Sequence, residues 1–160
     1  MGGWADGRRN WVTVMRSKDH SRAVPTPDPS GIAVLYSRMQ PYERFEAWQQ
    51  AHALALSIFK VTSTWPASER FGITAQLRRA SLSVPTNIVE GSAKRGNVEF
   101  ARFLNISLGS MAEVGYLLRF ARDAGFITAD EWSELFSSWS RAARVLWGLY
   151  RSVKERKRIC

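Results

Sequence analysis

Cysteine is all but missing from this chain: there is one, and it is the final residue, Cys160. No disulfide framework and no Cys/His metal spacing can be built from it, and a terminal, unpartnered thiol is a poor nucleophile. Histidine is almost as scarce, with His20 and His52 the only two. A bundle di-metal site draws on Glu-x-x-His pairs from facing helices, and no such pair occurs. His52 falls beside the apolar face of a helical segment, where it reads as a boundary residue rather than a base. Glycine-rich phosphate loops, nucleophile elbows and paired acidic motifs are also missing. No apolar run approaches the ~20 residues that span a bilayer, and none of the kind that marks a secretory leader is present. The expectation is a cytoplasmic, non-enzymatic protein without cofactor, metal or membrane partner.

Acidic residues are in deficit too. Lys and Arg number 23 against 14 Asp and Glu, a formal net charge of +9, with a sequence pI of about 10.4. A surface of this sign favours polyanions, because each phosphate neutralised releases condensed counterions. The same excess also serves solubility and follows from an arginine-rich composition, so charge alone leaves nucleic acid and incidental basicity both open.

Prolines are few and clustered. Residues 1–38 hold Gly2, Gly3 and Gly7 and then Val24-Pro-Thr-Pro-Asp-Pro-Ser-Gly31, a pattern that removes backbone donors and resists helix formation. This stretch reads as a disordered basic extension or the product of a misassigned start, with the folded domain at 39–160 carrying a basic C-terminal tail. At 160 residues the chain suits one domain with a sizeable core.

From Pro41 onward the apolar residues recur at three- and four-residue steps, the signature of amphipathic helix. A first helix is expected at about Tyr42–Thr62 and a second at about Glu69–Ala93, opened by Ser68 and kinked at Pro85. A third is expected at about Val98–Ala124, capped by Asn97 and closed by Gly125. A fourth starts from the capping box Thr128-Ala-Asp-Glu131 and runs to about Arg156. Four such helices with short turns specify an all-α, up-down-up-down antiparallel four-helix bundle. A second apolar stripe beyond the core faces (Phe71, Leu82 and Val89 on the second helix, Phe103, Ile106, Leu117 and Phe120 on the third) points to an oligomer interface, the alternative being a broader core within the chain.

Two phrases stand out: QLRRASLSVPTNIVEG (Gln76–Gly91) and FLNISLGSMAEV (Phe103–Val114). Over roughly Tyr42 to Arg156 they resemble the four-helix-bundle family of 23S rRNA intervening-sequence proteins. The accessory variability determinant proteins of diversity-generating retroelements are similar but more distant. The resemblance implies a homopentameric ring around a central channel. Through its more distant branch it also implies a protein partner such as a reverse transcriptase. Within the matched phrases, Arg78, Arg79, Pro85, Asn87, Glu90, Gly91 and Glu113 are expected to be structural. Asn87, Glu90 and Glu113 would hydrogen-bond across a subunit boundary or secure the Pro85 kink, and Glu90 would pair with Lys94 one turn on.

The cations left over suit RNA or DNA: Lys94 and Arg95 in one connection, Arg141, Arg144, Arg151 and Lys154 on the fourth helix, Lys157 and Arg158 in the tail. Cations near a helix C-terminus also complement its macrodipole, which is the plain alternative for the tail. No aromatic residue is read among these cations, so phosphate contact without base stacking is expected. The competing reading is a protein-interaction adaptor whose charge is incidental.

Overall fold

The computed structural model describes residues 40–155; the expectations for residues 1–38 and for Lys157, Arg158 and Cys160 fall outside them. The described residues contain four α-helices and no strand: α1 (Glu46–Thr62), α2 (Ile73–Ser92), α3 (Asn97–Asp123) and α4 (Ala129–Glu155). Short 3-10 turns at Pro41–Arg44 and Ala67–Glu69 precede α1 and α2. α1 packs on α2 and α4, and α3 packs on α2 and α4, so sequential neighbours are spatial neighbours, as in an up-down-up-down bundle. The α2–α3 connection and the end of α4 therefore lie at one end of the bundle, and the α1–α2 and α3–α4 connections at the other.

The core lies where the apolar faces of the four helices meet. Leu54 and Ile58 of α1 meet Leu77, Val84 and Ile88 of α2, Leu104, Met111, Val114 and Leu118 of α3, and Leu146 of α4, all buried. Two glycines set how closely helices approach. A Cβ at Gly91 would lie 2.7 Å from Phe103 Cβ, and one at Gly115 would lie 2.6 Å from Trp139 Cζ2. The Trp139 indole is thereby seated against α3, where its Nε1 donates to the Met111 carbonyl at 2.8 Å.

α2 passes through Pro85 without interruption, although proline brings no N–H to the Ser81 carbonyl. Hydroxyl and amide side chains surround this point and donate to nearby backbone carbonyls. Ser81 Oγ donates to Arg78 O (2.9 Å), Thr86 Oγ1 to Leu82 O (2.8 Å) and Asn87 Nδ2 to Ser83 O (2.8 Å). From α3, buried Ser107 Oγ donates to Val84 O at 3.0 Å. The polar letters of SLSVPTN thus stitch a proline-bearing helix to itself and to its neighbour.

Helix ends differ in detail from expectation. Ser68 lies in the 3-10 turn, and α2 starts only at Ile73, behind Gly72. Asn97 is the first residue of α3 behind Gly96, whose φ of 86° suits glycine. Gly125 closes α3 with φ 77°. The Thr128 box forms as read, with Glu131 N donating to Thr128 Oγ1 (3.2 Å) and Thr128 N to Glu131 Oε2 (2.8 Å).

Candidate nucleic-acid interface

α4 buries one side, with Leu135, Ala142, Leu146 and Val153 in the core. At ~100° per residue, positions opposite that side recur at three and four. Arg141, Arg144, Trp147, Gly148, Arg151 and Lys154 occupy that outward side, and all are exposed. Trp147 is 52% exposed although it is a large apolar side chain. It lies against Tyr150, with ring centroids 5.6 Å apart, and Lys154 Nζ stands 5.5 Å from the Tyr150 ring centre. Two aromatic rings therefore stand between Arg144 and the cations Arg151 and Lys154 along the last three turns.

This corrects the expectation of cations without aromatics. In linear order Trp147 precedes the tail cations and looks like one more core residue. On the helix it projects between Arg144 and Arg151. The signal was present in the spacing R-x-x-W-x-x-x-R-x-x-K, and a helical reading of that spacing finds it.

The cations here are weakly committed. Arg151 Nη2 reaches Glu155 at 3.4 Å, with both side chains well exposed, a pairing worth about 0.3–0.5 kcal/mol at most. Among the described residues Arg141 and Arg144 have no ion-pair partner. Acidic Asp130 and Glu131 sit in the first turn of α4, so the helix complements its own dipole and leaves its C-terminal half positive.

Lys94 and Arg95 are exposed in the α2–α3 connection, at the same end of the bundle as Arg151 and Lys154. Lys94 Nζ lies 5.7 Å from the Phe103 ring centre, and the Arg102 guanidinium covers that ring at 4.6 Å. The expected Glu90–Lys94 pair is not formed, because α2 ends at Ser92 and Lys94 is no longer one helical turn above Glu90.

The expected interface residues divide. Phe71 (91% exposed), Leu82, Ile106 and Phe120 are exposed on α2, α3 and the turn before α2, with Val89 half-buried. Phe103 and Leu117 are instead buried within the chain, a correction to their assignment to an outer stripe. Phe103 fits inside because Gly91 leaves room for it and two cations cover its ring, and Leu117 joins the central core. The helix face is simply wider than a ~100° stripe.

Between α2 and α3, Gln76, Arg79, Ser83, Ser110 and Glu113 line a polar groove. Arg79 Nη2 donates to Gln76 Oε1 (3.0 Å), Gln76 Nε2 donates to Glu113 Oε1, and Ser83 and Ser110 hydroxyls share a 2.8 Å hydrogen bond. Asn87 completes this row through Ser83. Arg78 turns away from the row, its Nε donating to Thr62 Oγ1 at 2.7 Å, and Glu90 is exposed.

The sequence model of the 23S rRNA-intervening sequence protein family matches residues 43–148, from the turn before α1 through most of α4. No curated protein matches. Among solved structures, a protein of unknown function from the S23 ribosomal protein family of Bacteroides thetaiotaomicron is similar at 19% identity and a TM-score of 0.61. The match covers 66% of this chain and 95% of that one, a likeness of fold.

Proposed function

The chain belongs to the 23S rRNA-intervening sequence protein family, and from that premise we propose that it is a non-enzymatic RNA-binding protein working through the outer side of α4. The observation that carries this reading is Trp147, half-exposed among Arg141, Arg144, Arg151 and Lys154. The cations meet phosphates, and the indole gives an unpaired base a face to stack on, an interaction worth about 1–3 kcal/mol per base. Unpaired bases occur in loops and bulges of structured RNA, where proteins read single-stranded positions. Lys94 and Arg95 extend the positive end of the bundle, and Lys157 and Arg158 follow it in sequence.

The exposed apolar residues Phe71, Leu82, Ile106 and Phe120 support self-assembly, and a homopentamer is the arrangement proposed. Repeating α4 around a ring would turn several modest contacts into a multivalent surface. The same apolar residues favour the second reading, an adaptor that docks a protein such as a reverse transcriptase.

The test is fluorescence anisotropy with a stem-loop RNA across a salt series. Affinity falls as salt rises, and replacing Arg141, Arg144, Arg151 and Lys154 with Gln flattens the log–log slope by about 3–4 units for four phosphates lost. An unchanged slope, or no binding at low salt, leaves the adaptor reading ahead.

A further inference from the structure

At the end of the bundle remote from the cationic part of α4, a cleft of about 320 Å³ opens between the α1–α2 connection and the start of α2, lined chiefly by Thr62, Ser63, Trp65, Arg70, Thr74 and Arg78. Two of its lining residues carry a buried polar group without a hydrogen-bond partner among the described residues: the Trp65 indole Nε1 and the Thr74 hydroxyl. Both residues are more than nine-tenths buried. A buried polar group left unmatched destabilises a fold by about 1–3 kcal/mol, so two in one cleft call for a ligand. The indole donates only, and the hydroxyl can donate as well. What they lack in common is an acceptor.

The rest of the lining has the same polarity. Arg78 is half-buried and held at three points. Its Nε donates to Thr62 Oγ1 at 2.7 Å, its Nη2 lies 3.4 Å from the Phe59 carbonyl, and its guanidinium stands 4.8 Å from the Phe59 ring centre. None of these contacts neutralises its charge. Thr62 Oγ1, which accepts from Arg78, itself donates a hydrogen bond to the Ile58 carbonyl at 2.7 Å. Arg70 is exposed at the rim. The cleft is lined by no carboxylate, whereas Glu131 and Glu134 line the cleft between α1 and α4, and Glu113 lines the groove between α2 and α3. Trp65 is fixed by stacking on Phe126 of the α3–α4 connection, with centroids 5.2 Å apart.

We infer that this cleft is a phosphate site, taking inorganic phosphate or a terminal phosphate monoester between Arg70 and Arg78, with Trp65 Nε1 and Thr74 Oγ1 donating to its oxygens. A tetrahedral dianion offers several acceptors at once, matching two guanidinium groups, an indole N–H and a hydroxyl. The two inner donors are closed to bulk water in the ligand-free chain. Their contact with an anion in the cleft therefore requires a local side-chain shift, which the Trp65 indole resonance reports. This site is separate from the α4 surface and does not depend on it.

The test uses the full chain labelled with nitrogen-15 and follows the indole N–H resonances of its seven tryptophans, with Trp65 assigned by its loss in Trp65→Phe. Millimolar inorganic phosphate is expected to move the Trp65 resonance saturably, while chloride at matched ionic strength does not. Arg70→Gln, on an exposed side chain, and Thr74→Val, which keeps the shape, are each expected to weaken the effect about ten-fold, the loss that follows from removing one strong donor. Trp147→Ala leaves it unchanged, so a failure here and a failure of the α4 reading are told apart. A response to 5′-phosphorylated but not 5′-hydroxyl RNA assigns the site to RNA ends. A response to inorganic phosphate and nucleoside monophosphates alone assigns it to free phosphate compounds. A Trp65 resonance that stays still, follows chloride equally, or titrates in both variants at the parent's phosphate concentration overturns the site.

Discussion

Adding one methyl group at Gly115 and one at Gly148 should change stability in opposite directions. Both glycines lie inside helices, where alanine is favoured by about 0.8–1 kcal/mol. At Gly148 nothing lies within 4 Å of the added Cβ, so Gly148→Ala should keep that gain. At Gly115 the new Cβ would lie 2.6 Å and 2.7 Å from Trp139 Cζ2 and Cε2, and a rigid indole cannot yield as a flexible chain end would. Overpacking of this kind destabilises by about 1–3 kcal/mol. Displacing the ring also breaks its 2.8 Å hydrogen bond to Met111 O, a further loss of about 0.5–1.5 kcal/mol. Subtracting the helix gain leaves Gly115→Ala less stable by about 0.5–3.7 kcal/mol. Urea unfolding followed by circular dichroism measures both, with equal m-values showing that stability rather than compactness changed. Two variants moving the same way, or an unaffected Gly115→Ala, would refute the close packing of α3 on α4.

Gly91→Ala should likewise destabilise, by about 1–3 kcal/mol, because its Cβ would meet Phe103 Cβ at 2.7 Å and Phe100 Cδ2 at 2.9 Å; thermal melts check it. Thr128→Ala removes the acceptor for Glu131 N and should lower stability by about 1 kcal/mol, again read by urea midpoint. Leu82→Glu places a charge on an exposed apolar side chain. Light scattering should show the parent near five times 18.1 kDa and the variant smaller, and a monomeric parent would reject assembly.

The helices and core were legible because periodicity reports burial directly: Leu77, Val84 and Ile88, or Leu104, Met111 and Leu118, recur at the steps that put them inside. Thr128 and Gly125 were legible because capping and left-handed closure depend on local chemistry alone. The start of α2 was not, since a 3-10 turn at Ala67–Glu69 uses the same residues that would open an α-helix. Phe103 was misplaced because its burial depends on a missing side chain, Gly91, on another helix. The groups at Trp65 and Thr74 line one cleft only through folding, eight residues of turn and helix lying between them. Trp147 is legible only through its phase on α4, which turns a residue type usually found in cores outward.

Binding of a stem-loop RNA by the parent and by Trp147→Ala, with anisotropy followed from low to physiological salt, tests the RNA reading most directly. The parent should bind saturably. The variant should bind about 5–150-fold more weakly, the equivalent of about 1–3 kcal/mol of stacking, with the salt slope unchanged because no phosphate contact is lost. A parent that does not bind at low salt, or a folded Trp147→Ala that binds as tightly as the parent, would contradict it.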